Sequence, residues 1–393
     1  MNRESIYIAV ALIFLGGCQS AARPQTVATN VPVGEDSAFA LDEKLGERAE
    51  PGEVETDRLI ANTIAGYVER RYAEGRRPAL RDAHAKTHGC VRAAFAVDAD
   101  LSGALRQGVF APGKQYQAWI RFSNGASEIN PDKAQDARGM AIKLVGVKGP
   151  KILPEEQDAQ TQDFILINHP AFFVDSPRQY YAMLKVFHQR ILTDRTNVLN
   201  ALGASTHLGL RGSILALQVN ATRIANPLYE RYWSMTPYRL GTGADRRAVK
   251  FLVRPCADER SKAPGLFSKP DTDYLRKAMA TTLSSRAACF NFYLQPFKDF
   301  TDTPIEQATV AWSEDVAPPV HVATITIPVQ TFDSSEQMKF CENLSYTPWH
   351  ALPEHRPLGA VNRTRRVVYT AVSKARHRLN GVLRTEPTGR ERF

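Results

Sequence analysis

Hydrophobic positions recur along this chain with two different periods. After residue 55, Leu59, Ile60, Ile64, Tyr67 and Val68 repeat at helical spacing and predict an amphipathic helix over 55–75. Strand signals then dominate: 116–123, 140–144 and 320–327 alternate apolar and polar residues, and 288–294 puts Phe290, Phe292 and Leu294 on one face. The stretches 164–167 and 249–253 are short apolar runs, further helices are expected near 176–191, 271–285 and 362–380, and 146–162 and 255–270 read as long surface loops. Six or more strands without regularly interposed helices predict an α+β fold: a closed antiparallel barrel of about eight strands, flanked by helices.

The segment before this pattern has a different character. Arg3, the apolar stretch 6–15 and the small residues after it read as an export signal over 1–17. It ends Leu15-Gly16-Gly17-Cys18, a pattern that looks like a bacterial lipobox and makes Cys18 the expected site of lipid attachment. Gln19 after the cysteine favours the outer membrane, with the protein facing the periplasm. Residues 18–55, punctuated by Pro24, Pro32, Gly34, Pro51 and Gly52, are expected as a tether, leaving 56–393 as the folded domain. Cys90, Cys256, Cys289 and Cys341 remain, and in an oxidising compartment they pair in one of three ways or not at all.

Composition is ordinary for a globular protein, with 43% hydrophobic and 23% charged residues. The formal charge of +9 is concentrated in 363–393, where nine basic side chains stand against two acidic ones. The rest of the chain is near balance, so a nucleic-acid partner is excluded.

The chemistry lies in four short segments. In the last predicted helix, Arg365, Tyr369, Val372 and Arg376 are spaced four, three and four apart and share a face. Ionising a tyrosine near pH 7 costs roughly 4 kcal/mol, which an adjacent guanidinium and a ferric ion together can supply. The segment 81–89 carries Arg81, His84 and His88, but lacks the glutamate and third ligand a zinc site needs. Arg121 and Ser123 face the same way from one strand, and a serine hydroxyl fixes the tautomer of a histidine beside it. The apolar run 164–167 ends in Asn168, followed by Phe172 and Phe173.

Taken in order, these segments resemble the haem catalases and their shorter catalase-like relatives, over about residues 80–380. Arg81-x-x-His84-Ala85-Lys86, Arg121-Phe122-Ser123, Asp136-x-Arg138-Gly139-Met140-Ala141-x-Lys143, Asn168-x-Pro170-x-Phe172-Phe173 and Arg365-x-x-x-Tyr369 with Arg376 match five of the family's segments. The resemblance implies haem b with Tyr369 as axial ligand of its iron, a ligation that general principle already assigns to catalases. It implies Arg365 paired with the Tyr369 oxygen, Arg81, Arg121 and Arg376 on the two propionates, and Phe172 or Phe173 on the porphyrin edge. It further implies His84, oriented by Ser123, as acid and base, and Asn168 as hydrogen-bond donor to a small peroxide substrate. Because Arg81 and His84 are three apart, a regular strand cannot aim both inward, and a bulge or bend is expected there.

The chain also departs from the family. Thr370-Ala371-Val372 stand where catalases carry Asp-Thr, Ala83 precedes the histidine, and His88 replaces a small residue. The chain is shorter than a typical catalase, so that family's tight tetramer and long channel are not carried over. The expected activity is hydroperoxide cleavage of the catalase or peroxidase type. Rearrangement of a lipid hydroperoxide and non-catalytic haem binding are the alternatives.

Overall fold

The computed structural model describes residues 39–191, 198–257, 262–265 and 267–393. The signal-like segment, Cys18 and the expected tether up to residue 38 lie outside them. In chain order the strands are β1 (Thr87–Val97), β2 (Gln115–Asn124), β3 (Arg138–Val145), β4 (Thr161–Ile167), β5 (Tyr232–Trp233), β6 (Tyr238–Leu240), β7 (Arg247–Pro255), β8 (Ala288–Pro296) and β9 (Val320–Ile327). They form one antiparallel sheet in the order β5-β4-β3-β2-β1-β9-β8-β7-β6, and a further β5–β7 pairing closes eight of them into a barrel. The helices are α1 (Glu53–Arg71), α2 (Pro177–Ile191), α3 (Val198–Asn220), α4 (Tyr274–Leu283), α5 (Ser335–Asn343) and α6 (Ala360–Asn380).

Alternation decides what the barrel holds and what it presents. In β2, Tyr116, Ala118, Ile120 and Phe122 enter the main core, which sends Arg121 and Ser123 to the outer face. In β3, Met140, Ile142 and Leu144 go inward, so Gly139, Ala141 and Lys143 lie outside. The interior is closed by rings from opposite strands: Phe164 lies 4.9 Å from Phe251 and 5.0 Å from Phe292, and Phe95 lies 5.3 Å from Phe292. Such packing leaves no room for a ligand inside the barrel.

The expected helices at 55–75, 176–191, 271–285 and 362–380 correspond to α1, α2, α4 and α6. The sequence reading missed β1, the short β5 and β6, α3 and α5. In the first part of β1, Thr87 to Val91, every residue is buried, with Cys90 against Cys341 of α5 and His88 beside Asp132, and in-out alternation begins only at Val91. The stretch 146–162 is not a surface loop: Ile152 and Leu153 are buried in one cluster with Trp349.

The expected tether needs correction from Phe39 onward. Glu47, fully buried, pairs with Arg356 at 2.6 Å and Arg363 at 2.9 Å and accepts the Gly359 N–H at 2.9 Å. This carboxylate therefore holds the start of α6, where Gly359 takes φ 86° close against the Ile305 carbonyl. The charge of the C-terminal segment is absorbed in the same way. Arg363 also meets Glu53 and Glu306, Arg378 meets Glu69, and Arg384 meets Glu156 and Glu386. Disulfides join Cys90 to Cys341 and Cys256 to Cys289, settling the pairing that the sequence left open.

Candidate active site

A cavity of about 560 Å³ lies on the outer face of β2, β3 and β4, roofed by α6 with α1 and α2 at its side. This volume is in the range of small-molecule and cofactor sites. Two walls carry its chemistry.

The helix wall is α6. Small residues let it approach α1 closely, Ala61 and Ala65 meeting Val367, Ala371 and Ala375. Arg365, Val368, Tyr369, Val372 and Arg376 then line the cavity, as the four-three-four spacing requires. Arg365 donates to the Tyr369 hydroxyl at 3.1 Å and is itself held by the Asn362 side-chain oxygen at 3.1 Å.

The barrel wall places His84 against Ser123, Nδ1 to Oγ 3.0 Å. Residues 81–86 precede β1 as a turn, and His84 adopts φ 61°, a left-handed conformation that ordinary residues avoid. This is the bend that allows Arg81 and His84 both to line the cavity. The turn is pinned by the His84 N–H to the Gly125 carbonyl at 3.0 Å and by Arg121 Nη2 to the His84 carbonyl at 2.8 Å. Gly139 lies under the imidazole: a Cβ there would sit 2.6 Å from Nδ1 and 2.8 Å from Ser123 Oγ. The glycine of the Asp-x-Arg-Gly segment is thus a steric requirement of the histidine. Burial, with the nearby Arg121, Arg81 and Arg365 guanidiniums, pushes His84 down to about 3, so its imidazole is neutral at physiological pH.

At one end three guanidiniums gather around one carboxylate. Arg81 Nη2 donates to the Glu342 side chain at 3.3 Å and to the Leu344 carbonyl at 3.1 Å. Arg121 Nη2 lies 3.9 Å from the same carboxylate, and Arg376 donates to the Glu342 and Leu344 carbonyls. Burial and mutual repulsion push Arg121 and Arg376 down to about 9. Three cations against one anion leave a buried local charge of +2, and Arg121 Nε has no partner.

Asn168 stands apart from the other expected residues, since it does not line the cavity although Ile165, Leu166 and Ile167 before it do. Its Oδ1 accepts the Arg138 N–H at 2.7 Å, which fixes the amide's orientation, and its Nδ2 is buried without a partner. Phe172 and Phe173 both line the cavity, with ring centroids 4.3 Å apart. His88 is structural: its Nε2 meets Asn124 Oδ1 at 2.8 Å, beside Asp132. Among the described residues no cluster has the makings of a metal site.

Sequence reasoning missed Glu342, and it missed Tyr180 of α2 and Asp82, which both line the cavity. Glu342 lies on the unread α5, and no local pattern ties it to arginines 261 residues upstream and 34 downstream. Asp82 stood in view as an unassigned position between Arg81 and His84, and burial raises its carboxyl.

This closed eight-stranded barrel with its flanking helices is the fold of the catalases. A fungal catalase superposes with TM-score 0.61 at 18% identity, over 78% of this chain and 61% of that one. A bacterial catalase gives 0.58 at 17% identity over 95% and 70%, and catalase A from Saccharomyces cerevisiae 0.56 at 17% over 82% and 66%. The chain thus spans about three fifths of the fungal enzyme's length. The family model described as Catalase matches residues 60–200, which include His84, Ser123, Asn168 and Phe173 but not α6. No curated protein matches the chain by sequence.

Proposed function

We propose that this cavity seats haem b and that the chain is a hydroperoxide-cleaving oxidoreductase of the catalase or peroxidase type, attached to the cell envelope through lipidated Cys18. The observation that carries the reading is the shared cavity, with the Arg365–Tyr369 pair on one wall and the Ser123–His84 pair on the other. The remaining residues fit a porphyrin. A buried +2 charge suits two propionates, a phenol oxygen suits ferric iron, and the spare Asn168 donor suits a bound oxygen species. The two disulfides and the signal-like N-terminus agree with an exported protein.

Tyr369 would hold the iron, and Arg81, Arg121 and Arg376 the propionates, with Phe172 or Phe173 against the ring edge. Bound there, haem b would supply the iron at which the O–O bond is cleaved heterolytically. Arg365 Nη2 donates to the Tyr369 oxygen and holds it in place. His84, neutral and donating Nδ1–H to Ser123 Oγ, keeps Nε2 free to take the hydroperoxide proton and return it to the departing oxygen. Asn168 stands just outside the cavity lining, and its spare Nδ2 would reach a bound peroxide only by turning toward the cavity.

The test is the absorption spectrum of the haem-loaded wild type and Tyr369→Phe, with oxygen release and donor oxidation measured in parallel. A high-spin ferric signature lost in the variant, together with peroxide turnover by the wild type, is expected. Haem that binds Tyr369→Phe with an unchanged spectrum would overturn the ligation. Haem binding with no turnover of hydrogen peroxide or organic hydroperoxides would leave a haem carrier. Consumption of a fatty-acid hydroperoxide without any reductant would favour the isomerase.

A further inference from the structure

The helix α3 shares a wall with the cavity. Val219 near its end lines the cavity and packs with Phe172, and Gly212 lies so close to the Phe173 carbonyl that a Cβ would sit 2.6 Å from it. The helix changes direction at Gly209, whose φ is 66° and ψ 176°. In the part beyond it, Gly212 and Val219 turn inward, while Leu210 is 81%, Ile214 46% and Leu217 73% exposed. These three are four and three residues apart, so they form one outward stripe on a segment about 16 Å long. Isolated exposed leucines are ordinary, whereas three aligned on one helix mark an interaction face.

Charge and context select the occupant. Between residues 198 and 220 the only ionisable side chains are Arg211 and His207, both exposed, and there is no acidic residue to repel an anionic surface. Among the described residues no helix is apolar enough to cross a bilayer, so such a stripe lies in the interface plane. The chain ahead of Phe39 carries the lipobox-like Cys18, and an acyl anchor there would hold the body within reach of the same lipid surface.

We infer that the stripe Leu210, Ile214 and Leu217 docks on an anionic phospholipid surface and sets the neighbouring cavity against it, so that acyl-chain hydroperoxides of the bilayer are the preferred substrates. The docking stands by itself. The substrate preference rests on the hydroperoxide-cleaving reading above.

The full-length protein, processed by the cell, is reconstituted in phosphatidylethanolamine–phosphatidylglycerol vesicles containing a doxyl-labelled phospholipid. A fluorophore is attached at Leu217→Cys or, as control, at Val329→Cys, a site 54% exposed just beyond β9. Quenching at 217 but not at 329 is expected, and equal quenching at the two sites overturns the docking. An unquenched 217 in a protein that sediments as a dimer also overturns it, giving the face to a second copy.

The variant Leu210→Ser/Leu217→Ser changes only the two most exposed positions and should fold. It is expected to lose about tenfold in turnover of a phospholipid hydroperoxide in the vesicles while turning over hydrogen peroxide unchanged. Equal turnover of both substrates by variant and wild type overturns the substrate preference. A wild type inactive on both substrates refutes the hydroperoxide reading, and the quenching experiment still decides the docking.

Discussion

The two walls of the cavity reach the same precision by opposite means. The helix wall gets its functional side chains from the geometry of one straight element: Arg365, Tyr369 and Arg376 come from three turns of α6. Its position is fixed from outside, by small-residue packing on α1 and by the buried Glu47 at its start. The barrel wall draws on a turn and two strands, and it holds His84 in a left-handed conformation by backbone hydrogen bonds and by the missing side chain of Gly139. One wall is a regular element held in place, the other an irregular one held in shape. Strain of this kind persists where surrounding structure over-determines it, which is where function often lies.

The barrel wall should therefore fail first in catalysis, without failing in stability. Gly139→Ala puts a methyl group 2.6 Å from His84 Nδ1, so the imidazole must move by close to an ångström. Turnover of hydrogen peroxide is expected to fall by about 10²-fold or more, since misplacement on that scale costs as much elsewhere. On the proposed reading, haem affinity and a Tyr369-dependent spectrum should stay, because the helix wall is untouched. A Gly139→Ala variant that keeps full turnover would show that His84 is free to shift, and the contrast between the walls would collapse.

The helix wall should fail in the reverse order. Glu47→Ala removes the carboxylate shared by Arg356 and Arg363 and the acceptor of the Gly359 N–H. Breaking a buried pair in this way costs about 3 kcal/mol or more in unfolding free energy, measured by denaturant titration. The haem-loaded variant at low temperature should retain most of its turnover per site, because Glu47 touches neither the cavity nor His84. An unchanged denaturation midpoint would mean that α6 is held by its packing on α1 alone.

The same contrast explains what could be read from the sequence. The α6 residues were legible because a helix converts spacing directly into a shared face, and 365, 369, 372 and 376 meet that rule. The outward placement of Arg121 and Ser123 was legible for the corresponding reason in a strand. The closed barrel followed from six alternating or apolar runs, yet β1 escaped because Thr87 to Val91 is buried throughout and the outward positions Ala94 and Ala96 beyond it are apolar. The bend at His84 could be inferred from the three-residue gap to Arg81, but its form could not, since Gly125, Arg121 and Gly139 supply it from elsewhere in the chain. Glu342 was invisible for the same reason: its meaning arises only where α5 meets three distant arginines. From Phe39 onward the tether was misread because proline and glycine density describes a backbone without helix or strand, and says nothing about a single buried carboxylate such as Glu47.

Protonation supplies the smallest and most discriminating expectation, because the two readings of His84 place its titration at different pH. In water an imidazole titrates near 6.5, and a solvated His84 would lose its base form as the pH falls through that value. In the folded protein burial and three neighbouring guanidiniums lower it to about 3. A depressed value means that the folded state resists taking up the proton, so the neutral base persists on acidification until well below the ordinary range. The value of kcat/KM for hydrogen peroxide should therefore stay level from about pH 8 down to about pH 5, the interval in which an unperturbed histidine would switch. An acid limb centred near 6.5 that disappears in His84→Gln would mean that water and solvent ions reach the imidazole. The rigid, desolvated barrel wall would then be no more constrained than the helix opposite it.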